Sequence, residues 1–434
     1  MGVDRPRQLL ERTFRSLHIR NYRLYFIAQT VSMSGTWLQS VALSWLVLEL
    51  TDSAVALGSI VAVLFGPILV LGPWAGVLAD RVDKRWLLIV TQTSAGVFAL
   101  ALGVVTAAGV VELWMVGGLA LLTGIALALD MPARQSFVIE MVGPDDVANA
   151  VGLNAVIVNA SRIVGPAVAG VLLVYVGIAA CFFVNAASFI VVISGLLLMR
   201  VEELQRAPIV SRRPGQLRAG LRHAWGAVNL RVPLLMMAVV STLGYNFSVL
   251  LPLLAVRVYG RGAGSYSTLS VAMGVGALMG ALLAAGRARP SRRLLVASTL
   301  AFGVFSLAVA AAPGFTSGLL LLLPMGAAAV LFISTTNAML QLNAAPAMRG
   351  RVMALWAMLF LGSTPIGAPI AGLLVRGVGV RWAIAFGGLA TLAAGVGGAW
   401  ALRRRRLEEG SCEAPWCLPE TEEAGAVVES APVR

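Results

Sequence analysis

Charge is what this sequence has least of. Of its 434 residues only 12% are Asp, Glu, Lys or Arg, while 59% are apolar. Soluble globular proteins carry about 25% charged residues, so a water-facing body of this size would have too little polar surface to clothe it. That excludes a soluble enzyme before any motif is read. Cysteine is scarce too, and Cys181, Cys412 and Cys417 are too few for a disulfide framework. The two histidines, His18 and His223, fall outside the apolar runs, which leaves no histidine-based metal cluster. Lysine occurs once, at Lys84, so arginine carries nearly all of the basic excess behind the net charge of +13. Such an excess fits nucleic acid or an anionic membrane surface. Here the basic residues stand between apolar blocks, which selects the membrane and argues against nucleic acid.

Long apolar runs are what the sequence has in quantity. A bilayer core about 30 Å thick takes about 20 apolar residues per helix. Runs of that kind occupy 24–50, 54–79, 86–108, 112–136, 147–175 and 179–200, then 232–256, 265–286, 294–312, 316–343, 352–375 and 382–402. They are numbered spans 1 to 12, and they predict an all-α integral membrane fold. The basic residues Arg5, Arg7, Arg12, Arg15, Arg20 and Arg23 precede a first span too long for a cleaved signal peptide. Of the 33 basic residues, 28 lie in segments on the side of the N-terminus, against Arg257, Arg261, Arg376 and Arg381 on the other side and Arg162 within a span. The positive-inside rule then places both termini in the cytoplasm.

This reading divides the chain into a basic N-terminal segment (1–23), a six-span half (24–200), a cytoplasmic linker (201–231), a second six-span half (232–402) and a tail (403–434). In the linker, Arg206, Arg212, Arg213, Arg218 and Arg222 alternate with apolar residues. That pattern suits an interfacial amphipathic helix, serving either as an anchor or as a partner surface. The tail turns acidic and Pro-rich after Arg403–Arg406 and is expected to be disordered, with Cys412 and Cys417 as free thiols.

The halves repeat each other. Ser161, Gly165 and Ala169 of span 5 recur as Ser363, Gly367 and Ala371 of span 11, at an offset of 202 that also pairs Leu153 with Leu355, Gly170 with Gly372 and Pro144 with Pro346. Small residues four apart share one helix face and let helices approach closely in lipid. Two six-span halves related as parallel repeats form a transporter arrangement, with the substrate site between them.

Three motifs then carry a resemblance. Gly76-Val77-Leu78-Ala79-Asp80-Arg81-Val82-Asp83-Lys84-Arg85, between spans 2 and 3, resembles the loop 2–3 signature of the major facilitator superfamily, departing from it at Asp83 (glycine in the pattern) and Lys84 (arginine). Ser161-Arg162-Ile163-Val164-Gly165-Pro166-Ala167-Val168-Ala169-Gly170 resembles that superfamily's exporter signature, with Ser161 and Ala169 in place of two glycines. Asp130-Met131-Pro132-Ala133-Arg134-Gln135 with Glu140, Trp37-Leu38-Gln39, and Arg349-Gly350-Arg351-Val352 are similar to the branch holding siderophore and macrolide exporters. The resemblance covers roughly 15–402. It implies twelve helices in two pseudo-symmetric six-helix halves, in a monomer of the bacterial inner membrane. Such a protein would expel a small amphiphilic drug-like or siderophore-like compound by rocker-switch proton antiport, with the proton gradient and no cofactor as its energy source.

Particular residues acquire roles from this. Asp80 ends a helix beside a cation cluster, and the N-terminus of span 11, near Val352, presents partial positive charge on the same side. In the family fold the two lie close, so Asp80 is expected to stabilise the state closed toward the cytoplasm, while Arg81, Lys84 or Arg85 pairs with Asp130. An arginine within a span costs at least about 2.5–3.5 kcal/mol, so Arg162 must face the interior. There it either binds an anionic substrate group or a proton-carrying acid, or serves structurally against helix carbonyls or Asn159. Pro166 can bend span 5, and Gly165 and Gly170 permit tight contact. Gln29, Ser32, Thr36 and Gln39 form a polar stripe on span 1. In the family fold Tyr245, Asn246, Thr335 and Asn337 would join it around the cavity, although polar residues also serve as plain interhelical bonds.

Coupling is the thinnest part of the reading. Glu49, Glu112, Asp130 and Glu140 all fall near the ends of the spans drawn above, and Asp130 is taken as the proton carrier. A lysolipid flippase or importer of the same fold is the alternative within transport, and a non-transporting membrane sensor or scaffold the alternative outside it. A membrane-embedded enzyme is excluded, because no Ser/His/Asp, Cys/His or metal constellation lies near the spans.

Overall fold

The computed structural model describes residues 15–143, 145–205, 216–287, 290–345 and 348–410. Among the described residues, twelve helices are long and apolar enough to cross a membrane: Arg20–Thr51, Ala54–Gly72 (in a helix continuing to Arg81), Lys84–Ala107, Leu113–Val142, Asn149–Tyr175, Ile178–Leu197, Val228–Val258, Ala263–Ala285, Arg292–Ala311, Phe315–Asn343, Arg349–Val378 and Val380–Arg404. They are spans 1 to 12 in order. Apolar length forces this result, since in hydrocarbon every backbone N–H and C=O must be satisfied within its own segment. The face where span 1 begins is here called the basic face.

Three expectations change. The apolar run of span 4 ends near 136, but its helix runs unbroken to Val142 despite Pro132. Span 12 continues as helix to Gly410, so Arg403 to Arg406 belong to a helix rather than to a tail, and the Arg404 guanidinium lies 5.6 Å above the Trp400 ring. The acidic tail itself, with Cys412 and Cys417, lies outside the described residues, as do Arg206, Arg212, Arg213 and the side chain of Arg218. The linker helix, Gln216–Gly226, docks on protein as well as facing outward. Ala224 is buried with Leu230, Leu234, Leu340, Val352 and Leu355 at the basic ends of spans 7, 10 and 11, while Leu221 and Trp225 are exposed.

The duplication is visible in the packing. A Cβ on Gly165 would stand 2.6 Å from the Ser34 carbonyl oxygen of span 1, and one on Gly367 would stand 2.2 Å from the Thr242 carbonyl oxygen of span 7. Likewise Gly170 abuts Ser267 of span 8, and Gly372 abuts the Ala54 carbonyl of span 2. The same glycines of spans 5 and 11 thus seat spans 1 and 7 on one side and spans 8 and 2 on the other. Spans 5 and 11 each bridge both halves.

The halves meet unevenly. One apolar core joins Leu38 to Leu48 and Ala54 to Val61 with Val249 to Ala255, Ala368 and Ala371, all toward the face opposite the basic one. At the basic face the cores are separate. One holds Tyr22, Tyr25, Leu88, Phe137 and Leu196 of the N-terminal half, and the other holds Leu230, Leu340 and Val352 of the C-terminal half. Among the described residues, the hydrogen bonds that link the halves are also toward the far face. The Ser44 hydroxyl donates to the Ser248 carbonyl at 3.3 Å, and Arg257 Nη2 donates to the Asp52 carbonyl and pairs with its Oδ1 at 3.2 Å. Buried apolar contact therefore closes one end of the inter-half space and leaves the basic end without a shared core.

Candidate transport passage

The loop 2–3 motif builds a local scaffold. Gly76 is buried at the end of span 2 and Arg81 is exposed; the side chain of Asp80 lies outside the described residues. Asp83, the departure from the family pattern, accepts the Trp86 amide at 3.2 Å and caps span 3, a position where Asp is among the preferred residues. Lys84 pairs with Glu140 at 2.5 Å, and their side chains are only 12% and 8% exposed. Arg85 donates from Nε to the Leu196 carbonyl at 2.7 Å and from Nη2 to that of Leu197 at 3.1 Å, neutralising the carbonyl end of span 6.

None of these cations reaches Asp130, which corrects the pairing expected from sequence. Asp130 lies twelve residues before the end of span 4, about 18 Å at 1.5 Å per residue, and its side chain is 3% exposed. It is ion-paired with Arg134 one turn on, and it accepts hydrogen bonds from Gln92 Nε2 at 2.6 Å and Thr91 Oγ1 at 3.1 Å. The i, i+4 spacing of Asp130 and Arg134 is the signal that points to this pair. Thr91 and Gln92 have no comparable signal, because which face of span 3 meets span 4 is a matter of packing. Gln29 and Arg134 line a small pocket with Tyr25 and Gln92 beside this network.

Arg162 behaves differently. Its guanidinium stacks 5.0 Å from the Trp37 ring centroid, and Nε is buried with no hydrogen-bond partner. Asn159, expected as a structural partner of Arg162, donates instead to the Ala155 carbonyl. Pro166 lacks the N–H that would bond the Arg162 carbonyl, and Gly274 of span 8 packs against that carbonyl, where a Cβ would stand 2.8 Å away. Arg162 thus sits between span 1, on which it stacks, and span 8.

The polar stripe of span 1 is divided. Gln29 and Ser32 are buried and Thr36 is exposed, whereas Gln39 accepts a hydrogen bond from Asn185 of span 6 at 2.6 Å. Span 7 is interrupted at mid-length: a wide turn over Val240–Gly244 leads into Tyr245 and Asn246 in non-helical geometry, and the helix resumes at Phe247. Such breaks are tolerated at membrane depth where they are buried in protein or line a cavity. Tyr245 contacts Phe360 of span 11 with ring centroids 5.9 Å apart, and Phe360 stacks on Trp356 at 5.5 Å. Asn246 donates to the Thr242 carbonyl, the Thr335 hydroxyl is buried without a partner, and Asn337 accepts from Gln341. The aromatic run was not found from sequence, since Phe360 and Trp356 look like any apolar residues of a span. A separate groove of about 480 Å³ between spans 1, 5 and 6, lined by Val31, Val164, Val168, Val184 and Val191, is almost wholly apolar. It fits lipid contact rather than polar recognition.

Twelve spans in two repeated halves are the architecture of the major facilitator superfamily, that of a multi-pass membrane protein. The chain belongs to the transmembrane secretion effector family of that superfamily, which matches residues 12–428. It is 28% identical to the staphyloferrin A transporter of Staphylococcus aureus over 242 residues, 55% of this chain and 60% of that one, so the match spans less than two thirds of that relative. It is 26% identical to the enterobactin exporter EntS of Shigella flexneri over 81% of this chain and 84% of that one. In fold it is similar to a bacterial homologue of the human lysosomal transporter Spinster, with a TM-score of 0.67 at 15% identity over 89% of this chain and 96% of that one.

Proposed function

We propose that this protein is a secondary active exporter of small amphiphilic molecules in a bacterial inner membrane, with both termini cytoplasmic. The observation that carries the reading is the uneven closure of the halves, sealed by apolar contact at one face and unsealed at the basic one. By the positive-inside rule the basic face is cytoplasmic, so the passage opens toward the compartment from which an exporter loads. The relatives named as an enterobactin exporter and a staphyloferrin A transporter support efflux of small molecules.

Transport follows from rocking one half against the other about spans 2, 5, 8 and 11. In the alternate state the basic ends meet, and Asp80 binds the N-terminus of span 11 at Arg349–Val352. Asp130 carries the coupled proton, being the carboxylate set deepest along a span, and Arg134 is the partner it exchanges.

The test uses everted membrane vesicles with an imposed proton gradient, a pH-sensitive dye and a panel of antibiotics, dyes, siderophores and lysolipids. Substrate-specific collapse of the gradient is expected, and its absence in Asp80→Asn vesicles with normal protein content. Transport of the same compounds without proton movement would remove the coupling reading. Collapse by lysolipids alone would favour the flippase. Equal activity in Asp80→Asn would remove the gate.

A further inference from the structure

We infer that the structure holds a second seat for the Arg134 guanidinium, built from the Tyr25 hydroxyl and the Gln92 side-chain carbonyl, which takes the arginine when Asp130 is protonated. Tyr25 and Gln92 are thereby positioning residues for the coupled step. The inference rests on Asp130 as the proton carrier and says where its partner goes.

Two buried polar atoms lead to it. Tyr25 is 2% exposed and Gln92 4%, and Tyr25 Oη and Gln92 Oε1 both lack a hydrogen-bond partner. Unmet groups of this kind are rare in a dry interior, because each forfeits the hydration it had in water. Chemistry fixes how Gln92 is turned. An ionised carboxylate only accepts, so the amide presents Nε2 to Asp130 Oδ1, at 2.6 Å, and turns Oε1 away. Tyr25, Gln92 and Arg134 line one small pocket. That pocket is too narrow to hold a water molecule, so a side chain and not solvent has to meet the two atoms.

Arg134 is the side chain able to do so. Among the described residues its guanidinium makes one hydrogen bond, from Nη2 to Asp130 Oδ2, and the rest of its donor fork is unused. Gln92 Nε2 and Arg134 Nη2 sit on the two oxygens of the same carboxylate, so the amide and the guanidinium are already neighbours and a side-chain rotation exchanges them. While Asp130 is ionised it holds the cation. A proton on Asp130 removes that charge, and a buried cation then needs other oxygens. A phenol and an amide carbonyl supply acceptors without adding a second charge. Among the described residues the titratable groups facing Asp130 are Arg134 of its own span and Tyr25 of span 1, while Thr91 and Gln92 of span 3 are neutral. The rotation carries positive charge from span 4 toward span 1. Span 1 meets span 7 through Ser44, so protonation is passed to a helix that touches the other half.

The test is a melting cycle on the full-length protein in detergent, with Asp130→Asn standing for the protonated carboxyl. In the wild type at alkaline pH the Tyr25 hydroxyl bonds nothing, so Tyr25→Phe should leave the melting temperature nearly unchanged. In Asp130→Asn, Tyr25→Phe or Gln92→Met should lower it by several degrees, and by much less once Arg134→Met is also present. A packing role for Tyr25 would lose the same amount in both backgrounds. Transport supplies a second readout. Without the seat the protonated form is disfavoured, so Tyr25→Phe should move the pH profile of substrate-driven proton movement in everted vesicles to lower pH by about one unit, a tenfold change in proton affinity. If Asp130→Asn fails to give folded protein, that shift carries the test. Equal melting losses with and without Asp130→Asn, or an unmoved pH profile, would overturn the seat and leave Asp130 as the carrier. Full coupled transport by Asp130→Asn would remove the carrier, and with it the part of the seat in coupling, whatever the melting cycle gives.

Discussion

In the N-terminal half two carboxylates, Asp130 and Glu140, lie buried against Arg134 and Lys84; from residue 204 to residue 407 the chain contains no Asp or Glu at all. Within the C-terminal half cations rest on neutral oxygens instead, as where Arg381 donates to the Ala310 carbonyl at 2.6 Å and Arg292 to Asn229 Oδ1 at 2.9 Å, while Arg257 reaches across to the exposed Asp52 of the other half. Beside the break in span 7 it carries the aromatic run of Tyr245, Phe360 and Trp356. The backbone plan is duplicated while the chemistry is divided. Each buried ion pair is closed within the N-terminal half, so a rocking motion between halves need not break one. That matters because separating a buried pair leaves an uncompensated charge at a cost of about 3–5 kcal/mol.

The largest test of this division is Asp130→Ala. It strands Arg134 in a nearly dry site, so we expect a large fall in thermal stability, about 3–5 kcal/mol if the site behaves as other buried pairs do, together with loss of coupled transport. Asp130→Ala combined with Arg134→Met should recover most of the melting temperature and none of the transport. Full transport by the double variant would show that the N-terminal half holds no coupling chemistry there.

The backbone symmetry is tested next. Gly165→Ala and Gly367→Ala each place a methyl within van der Waals distance of a span 1 or span 7 carbonyl, and overpacking of this kind costs about 1–3 kcal/mol. The two variants should lose comparable stability, measured by melting in detergent, because they are the same position in the two repeats. A large loss in one and none in the other would break the equivalence.

The smallest effect is expected at Arg257→Gln. The Asp52 side chain of this link is 84% exposed, and exposed pairs are worth about 0–1 kcal/mol. The far face is closed by apolar contact, so distance measurements between spin labels on that face should shift populations by no more than about fivefold at such energies. Wholesale opening would make the pair a true latch.

Much of this was legible in the sequence. All twelve spans, the repeat carried by Gly165 and Gly367, and the interior position of Arg162 were. The candidate site is legible in part: the sequence singles out Asp130, but its partner is Arg134 and not a cation of the loop 2–3 motif. Gln39 reads as cavity lining by its spacing, yet it is engaged by Asn185. Spacing along one helix assigns a residue to a face without saying which neighbour occupies that face.

What the sequence determined by itself is whatever follows from chain-local physics. Apolar length makes spans, and glycine at a fixed offset marks the repeat, because each depends on residues within one helix or its flanks. Only the tertiary structure decided that Arg134 and not a loop cation answers Asp130, that span 7 parts at Tyr245, and that the halves are sealed at one face. These depend on how separately encoded helices rotate and slide against one another, a choice made by the summed packing of all twelve and recorded in no single span.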